Sequence, residues 1–220
     1  MHQLQPQPEV TTSSQFNTNL PSNSAENIAQ VQRSQWVDLQ NEAQQVDWLI
    51  LHFNQWFSHL NVELVRGDFE PEYFPALDQA PARIQFAHGF FNSALHEISH
   101  WSIAGEKRRL LPDLGYWYAP DGRTAEQQAL FEQVEIKPQA IEWLFSKAFG
   151  RKFRVSLDNL TGEGGDGTIF KDNVYAQLQK YLSGEIPLPR DAKHFIECIC
   201  ASTRSGKTLH STEFNRKDLD

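Results

Sequence analysis

The stretch "SALHEISHW", residues 93–101, sets two histidines, His96 and His100, four residues apart, with Glu97 directly after the first. Positions i and i+4 of an α-helix lie one turn apart on one face, so both imidazoles can point at a single ion. Glu97 falls about 100° around the helix from His96, bordering that face without being an easy ligand. The pattern H-E-x-x-H is the signature of a zincin-like helix, in which the glutamate acts as a general base. Ala94, Leu95, Ile98, Ser99 and Trp101 predict that this helix is buried. Asn92 or Ser93 is placed to cap it and Gly105 to stop it. Two buried imidazoles need partners, and the plain alternative to a metal is a pair of hydrogen-bonded core histidines.

A transition-metal centre needs at least one further protein ligand. The acids downstream, up to residue 142, are Glu106, Asp113, Asp121, Glu126, Glu132, Glu135 and Glu142. Glu135, in "FEQVEIKPQAIEW", is favoured: Val134, Ile136 and Ile141 surround it, and a carboxylate among apolar neighbours is costly without a partner. Glu132, one turn earlier, is the rival. Pro138 lacks an N–H and disfavours helical geometry at Lys137, so a kink or boundary is expected just after Glu135.

Working outward, "VDWLILHFNQWF" (46–57) spaces its apolar residues as a buried helix. "NVELVRG" and "ARIQFAHG" read as strands, with the Pro-containing "FEPEYFPALDQAP" as the loop between them. "TAEQQALFEQVEIKPQAIEWLFSKAFG" reads as helical, "KFRVSL" as a strand, and "GTIFKDNVYAQLQKYLSG" and "DAKHFIECICAS" as two more helices. The expected fold is α+β: a helix-rich single domain with a small mixed sheet. Residues 1–40 are rich in Gln, Ser, Thr, Asn and Pro and are expected to be a disordered tail. Residues 41–202 then form the domain and 203–220 a flexible C-terminal tail.

Composition narrows the class. Among 220 residues there are six Trp, fifteen Phe and five Tyr, ample for a core. A formal net charge of −8 argues against a nucleic-acid grip. Two close cysteines, Cys198 and Cys200, form no disulfide framework, which points to a reducing cytoplasm. The start lacks an apolar leader, and no apolar run approaches the ~20 residues that span a bilayer, so no membrane partner is expected. "GEGGDG" (162–167) and "ASTRSGKT" (201–208) imitate phosphate-binding loops, but lack the flanking elements such loops require. "EKRRLL" (106–111) carries Lys107, Arg108 and Arg109, either a solvated face or a docking patch for an acidic protein.

Several spaced motifs agree in order with one known family. "FAHGF", "HEISHW", "GYWYAPDGR" and "FEQVEIKPQA", with "VRGDFEPEYFPA" before them and "FRVSLDNL" after, make the chain resemble the elongation factor P hydroxylase family over roughly residues 45–200. The resemblance implies hydroxylation of the modified (beta-lysylated) lysine of translation elongation factor P. It also implies a metal held by two histidines and one carboxylate, by motif position His96, His100 and Glu135. That donor set leaves several positions open and suits non-haem Fe(II) with molecular oxygen. The same ligands also suit zinc with Glu97 activating water. The catalytic position is therefore assigned to Glu97. A long cationic substrate side chain favours an acidic, aromatic channel, for which Tyr116, Tyr118 and Asp121, beside Trp117, are candidates. His88, at a strand end, is a further candidate for the lining. The rival readings are a zinc-dependent peptidase and a non-catalytic module that binds a translation factor.

Overall fold

The computed structural model describes residues 35–115, 123–157 and 167–220. Among them are five α-helices: α1 (Glu42–Trp56), α2 (Phe91–Ile103), α3 (Ala125–Ala148), α4 (Thr168–Ser183) and α5 (Arg190–Thr203). Three short strands, β1 (Val62–Arg66), β2 (Glu72–Phe74) and β3 (Ala82–Phe86), form one sheet in the order β1-β3-β2. β1 runs parallel to β3, with Leu64 opposite Ile84, and β2 runs antiparallel to β3, with Tyr73 opposite Ile84. This is the expected helix-rich α+β fold with a small mixed sheet.

Each element follows from a local pattern. Asn41 caps α1 by accepting the Gln44 N–H at 3.0 Å. The buried stripe of α1 is Val46, Leu49 and Phe53, at helical spacing, continued by Phe57. In β3, Ala82, Ile84 and Phe86 are buried while Arg83 faces out, the period-2 pattern of a sheet covered on one face. α2 is the central helix, packing against α1, α3, α5 and β3. Its buried residues surround the axis: Phe91, Ala94, Leu95, Ile98, Ser99, His100 and Trp101. An aromatic cluster of Trp36, Trp48, Phe91, Phe149 and Phe195 joins its start to α1, α3 and α5.

Several expectations shift. α2 begins at Phe91, before either expected cap, because the Phe91 N–H is met by Glu42 of α1 at 3.2 Å. Ser93 instead accepts the Ala87 N–H at 2.9 Å. α3 runs through Pro138 without the expected boundary. Pro138 deprives only the Val134 carbonyl of a donor, and Val134 sits at the exposed surface, where water can serve. The burial of Pro138 through Ser146 on all sides then holds the helix together. The segment between β1 and β3, expected as a loop, contains β2. "KFRVSL" is extended but joins no sheet among the described residues; side-chain amides bind its backbone instead.

The basic run turns inward. The Arg109 guanidinium lies 3.9 Å over the Trp101 ring and pairs with Asp191 at 2.5 Å. Arg108 donates to the Leu114 carbonyl at 2.8 Å. "ASTRSGKT" is the C-terminal end of α5, closed by Gly206, whose φ is 77°. A phosphate cradle needs a helix N-terminus, so this loop is not one.

The packed part of the chain extends beyond 41–202 at both ends. Trp36 donates its indole N–H to the Phe149 carbonyl at 3.2 Å. Residues 203–220, expected as a flexible tail, bury Phe214 and Leu219 and tie Arg216 to Asp172. Phe214 lies edge-on to Trp143, with 5.6 Å between ring centres. Those two apolar side chains were too few for a sequence pattern to show, yet enough to anchor ten residues against α3 and α4.

Candidate metal centre

α2 and α3 lie side by side and run antiparallel, since His100 meets Glu135 while His96, earlier in α2, meets the later Glu142. His96 Nε2 and His100 Nε2 are 3.1 Å apart, as expected for an i, i+4 pair. Glu135 Oε1 is 3.1 Å from His100 Nε2, and Oε2 is 3.6 Å from His96 Nε2. One ligand atom from each of the three lies within 4.8 Å of the others. Among the described residues this is the one such His, Cys, Asp or Glu group.

The donor set fits a transition-metal ion. Ligands ~2.1 Å from a shared ion and at right angles to one another stand about 3 Å apart, the separation seen for the two imidazoles and for His100 with Glu135. Glu135 is 0 % exposed. Its Oε1 accepts no well-aligned hydrogen bond. A buried carboxylate whose two oxygens face two imidazole nitrogens is costly unless a cation joins them.

The electrostatics agree. Burial alone would lower the His96 pKa, but the Glu142 hydrogen bond and the charges of Glu135, Glu142 and Glu97 hold it well above the ordinary histidine value. Burial alone would raise the Glu135 pKa, but the charge and contact of His100, then His96 and Gln139, hold it down at about 2. Glu97 and Glu142 are pushed up, chiefly by burial. Three carboxylates around two imidazoles make a pocket that favours positive charge.

The expected residues fall as follows. His96, His100 and Glu135 converge, and Glu97 borders them within reach of their charges. Glu132 does not converge; it accepts from Gln128 at 3.1 Å. Val134 contributes nothing to the burial of Glu135. That burial comes from the face bearing Gln128, Phe131, Glu135, Pro138, Gln139 and Glu142. His88 is exposed, in left-handed backbone (φ 49°), with its ring 5.9 Å from that of Phe90. Tyr116, Tyr118 and Asp121 lie outside the described residues. Two side chains were not singled out beforehand. Glu142 Oε2 is 2.9 Å from His96 Nδ1, and Gln139 joins Glu135 Oε2 at 3.4 Å to the Ser156 backbone. The signal was present as E-x-x-x-Q-x-x-E, one helix face at i, i+4 and i+7.

A family model described as elongation factor P hydroxylase matches residues 52–214. The chain belongs to the elongation factor P hydroxylase family. A relative from Haemophilus influenzae, named elongation factor P lysine hydroxylase, is 45% identical over 169 residues, which cover 76% of this chain and 94% of that protein. The family match contains both histidines, Glu97, Glu135, Glu142 and the C-terminal segment through Phe214. In this elongation factor P hydroxylase family member the candidate metal-binding group therefore lies wholly within the shared region.

Proposed function

We propose that this chain is a metal-dependent hydroxylase that adds one oxygen to the modified, beta-lysylated lysine of translation elongation factor P. The observation that carries the reading is the convergence of His96, His100 and Glu135 on one point at the centre of the fold. Membership of the family supports the reaction and the substrate. Fe(II), when bound there, supplies the activation of molecular oxygen and of an unreactive C–H bond.

The remaining work belongs to the protein. His96, His100 and Glu135 would hold the ion, a donor set that leaves coordination positions open. Glu97 stands beside them, half-buried, and is placed to meet a substrate ammonium or to orient a ligand. The acidic surroundings draw a long cationic side chain inward. A modifier of a translation factor works in the cytoplasm, and no helix among the described residues is long and apolar enough to cross a membrane.

The test is mass spectrometry of the lysine-bearing elongation factor P peptide after incubation with anaerobically purified protein, Fe(II), air and a reductant such as ascorbate. The reductant supplies the two electrons that carry the second oxygen atom to water. A gain of one oxygen is expected with Fe(II) and not with Zn(II). Equal modification with zinc alone would falsify the iron–oxygen chemistry, and peptide-bond cleavage would favour the zinc peptidase. Binding without either product would leave a non-catalytic module.

A further inference from the structure

We infer that Glu142 is a positioning residue that decides which nitrogen of His96 faces the ion. The inference rests on the metal reading above and adds to it the choice of donor atoms.

An imidazole has two nitrogens, and a helix by itself does not choose between them. His96 is 21 % exposed at its side chain, so packing alone leaves the ring room to turn. Glu142 removes the choice. It lies seven residues, two turns, beyond Glu135 on the same face of α3. Its Oε2 reaches His96 Nδ1 at 2.9 Å. A carboxylate can only accept, so Nδ1 carries a proton and Nε2 is the nitrogen left for the ion. Nε2 is the atom that stands 3.1 Å from His100 Nε2.

Glu135 is treated in the same way. Gln139 donates to its Oε2 at 3.4 Å. Gln139 is held in turn by two bonds to Ser156, donating to the carbonyl at 2.7 Å and accepting from the N–H at 3.1 Å. The amide is thereby oriented with its NH₂ toward Glu135. Oε1 is left as the ligand oxygen, and it is the oxygen without an aligned hydrogen bond. The structure thus assigns the donors as His96 Nε2, His100 Nε2 and Glu135 Oε1, with Glu142 and Gln139 behind them. Partners of this kind fix ring orientation and ligand basicity, and their loss typically weakens metal binding ~10–100-fold.

The experiment measures Mn²⁺ affinity of the full chain by chelator competition, for the wild type, Glu142→Gln, Glu142→Asp and His100→Ala. Glu142→Gln keeps the volume but can present an NH₂ to Nδ1, which favours the wrong tautomer. We expect ~10–100-fold weaker binding with an unchanged melting temperature, and partial recovery in Glu142→Asp. The second readout is ¹H–¹⁵N correlation of the Zn²⁺-loaded wild type with labelled histidine. His96 is expected to show a protonated Nδ1 and a metal-bound Nε2. Tight wild-type binding with Glu142→Gln unchanged, or His96 bound through Nδ1, overturns the inference. If Glu142→Gln does not fold, the nitrogen spectrum of the wild type decides alone. Failure of the metal reading looks different: the wild type itself, like His100→Ala, would show no stoichiometric binding.

Discussion

Replacing Glu135 by alanine removes the one carboxylate among the described residues that meets both histidines, at 3.1 and 3.6 Å. Metal quantification of Glu135→Ala should show loss of the ion, while Glu132→Ala, whose parent carboxylate is engaged with Gln128, should retain it. Retention in the first and loss in the second would exchange their roles. Glu97 separates two chemistries. A peptidase base supplies ~10²–10⁴-fold through proton transfer, so its loss would end turnover with the ion still bound. In the hydroxylase no bound water has to be activated at that step. Glu97→Gln should therefore give reduced but measurable hydroxylation by peptide mass. Complete loss with full metal occupancy would mean that Glu97 takes part in the chemistry.

At the scale of elements, the antiparallel contact of α2 and α3 builds the centre, and the frame around it is fastened elsewhere. Asp191, in the first turn of α5, binds Arg190 and Arg109, and Arg109 also donates to the Trp101 carbonyl of α2 at 2.9 Å. Burial alone would raise the Asp191 pKa, but the hydrogen bonds and charges of Arg190 and Arg109 hold it below the ordinary value. A depressed folded-state pKa means that the unfolded chain binds the proton first. The stabilisation is thus complete above about pH 4, the unfolded value, and disappears as pH falls through the lower folded value. Asp191→Asn should lose roughly 3 kcal/mol at neutral pH, as expected for a broken buried ion pair with one exposed partner. Denaturation in urea at several pH values should show the gap to wild type narrowing below about pH 4. A gap that widens with acid would refute the ion-pair account.

Across the whole molecule, both ends of the chain contribute to packing. Deletion to residue 34 spares Trp36, whereas deletion to residue 40 removes its contacts with Trp48, Phe91 and Phe149. The longer deletion should cost about 2 kcal/mol more, for one largely apolar ring. Removing residues 211–220 takes away the buried Phe214 and Leu219, and should cost roughly 3–5 kcal/mol. Thermal melts of the three truncations test this. Equal melting temperatures for deletion to 34 and deletion to 40 would show that Trp36 adds nothing.

The sequence by itself determined what depends on local spacing. The i, i+4 histidines, the amphipathic stripe of α1, the alternation in β1 and β3, and the glycines that bound α4 are each written within a few residues. The two helices that meet at the metal centre were legible for the same reason. The tertiary structure decided the rest. Pro138 signals a break by local propensity, but burial on all sides of α3 outweighs its missing hydrogen bond. Phe214 and Leu219 lie in a polar-looking tail, and only α3 and α4 supply their partners. Among seven downstream acids, apolar neighbours favour Glu135, but nothing local marks Glu142 as the partner of His96. The distinction arises because α3 lies antiparallel on α2, which puts one acid opposite His100 and the other behind His96. Spacing fixes which side chains share a face; only packing fixes what that face meets.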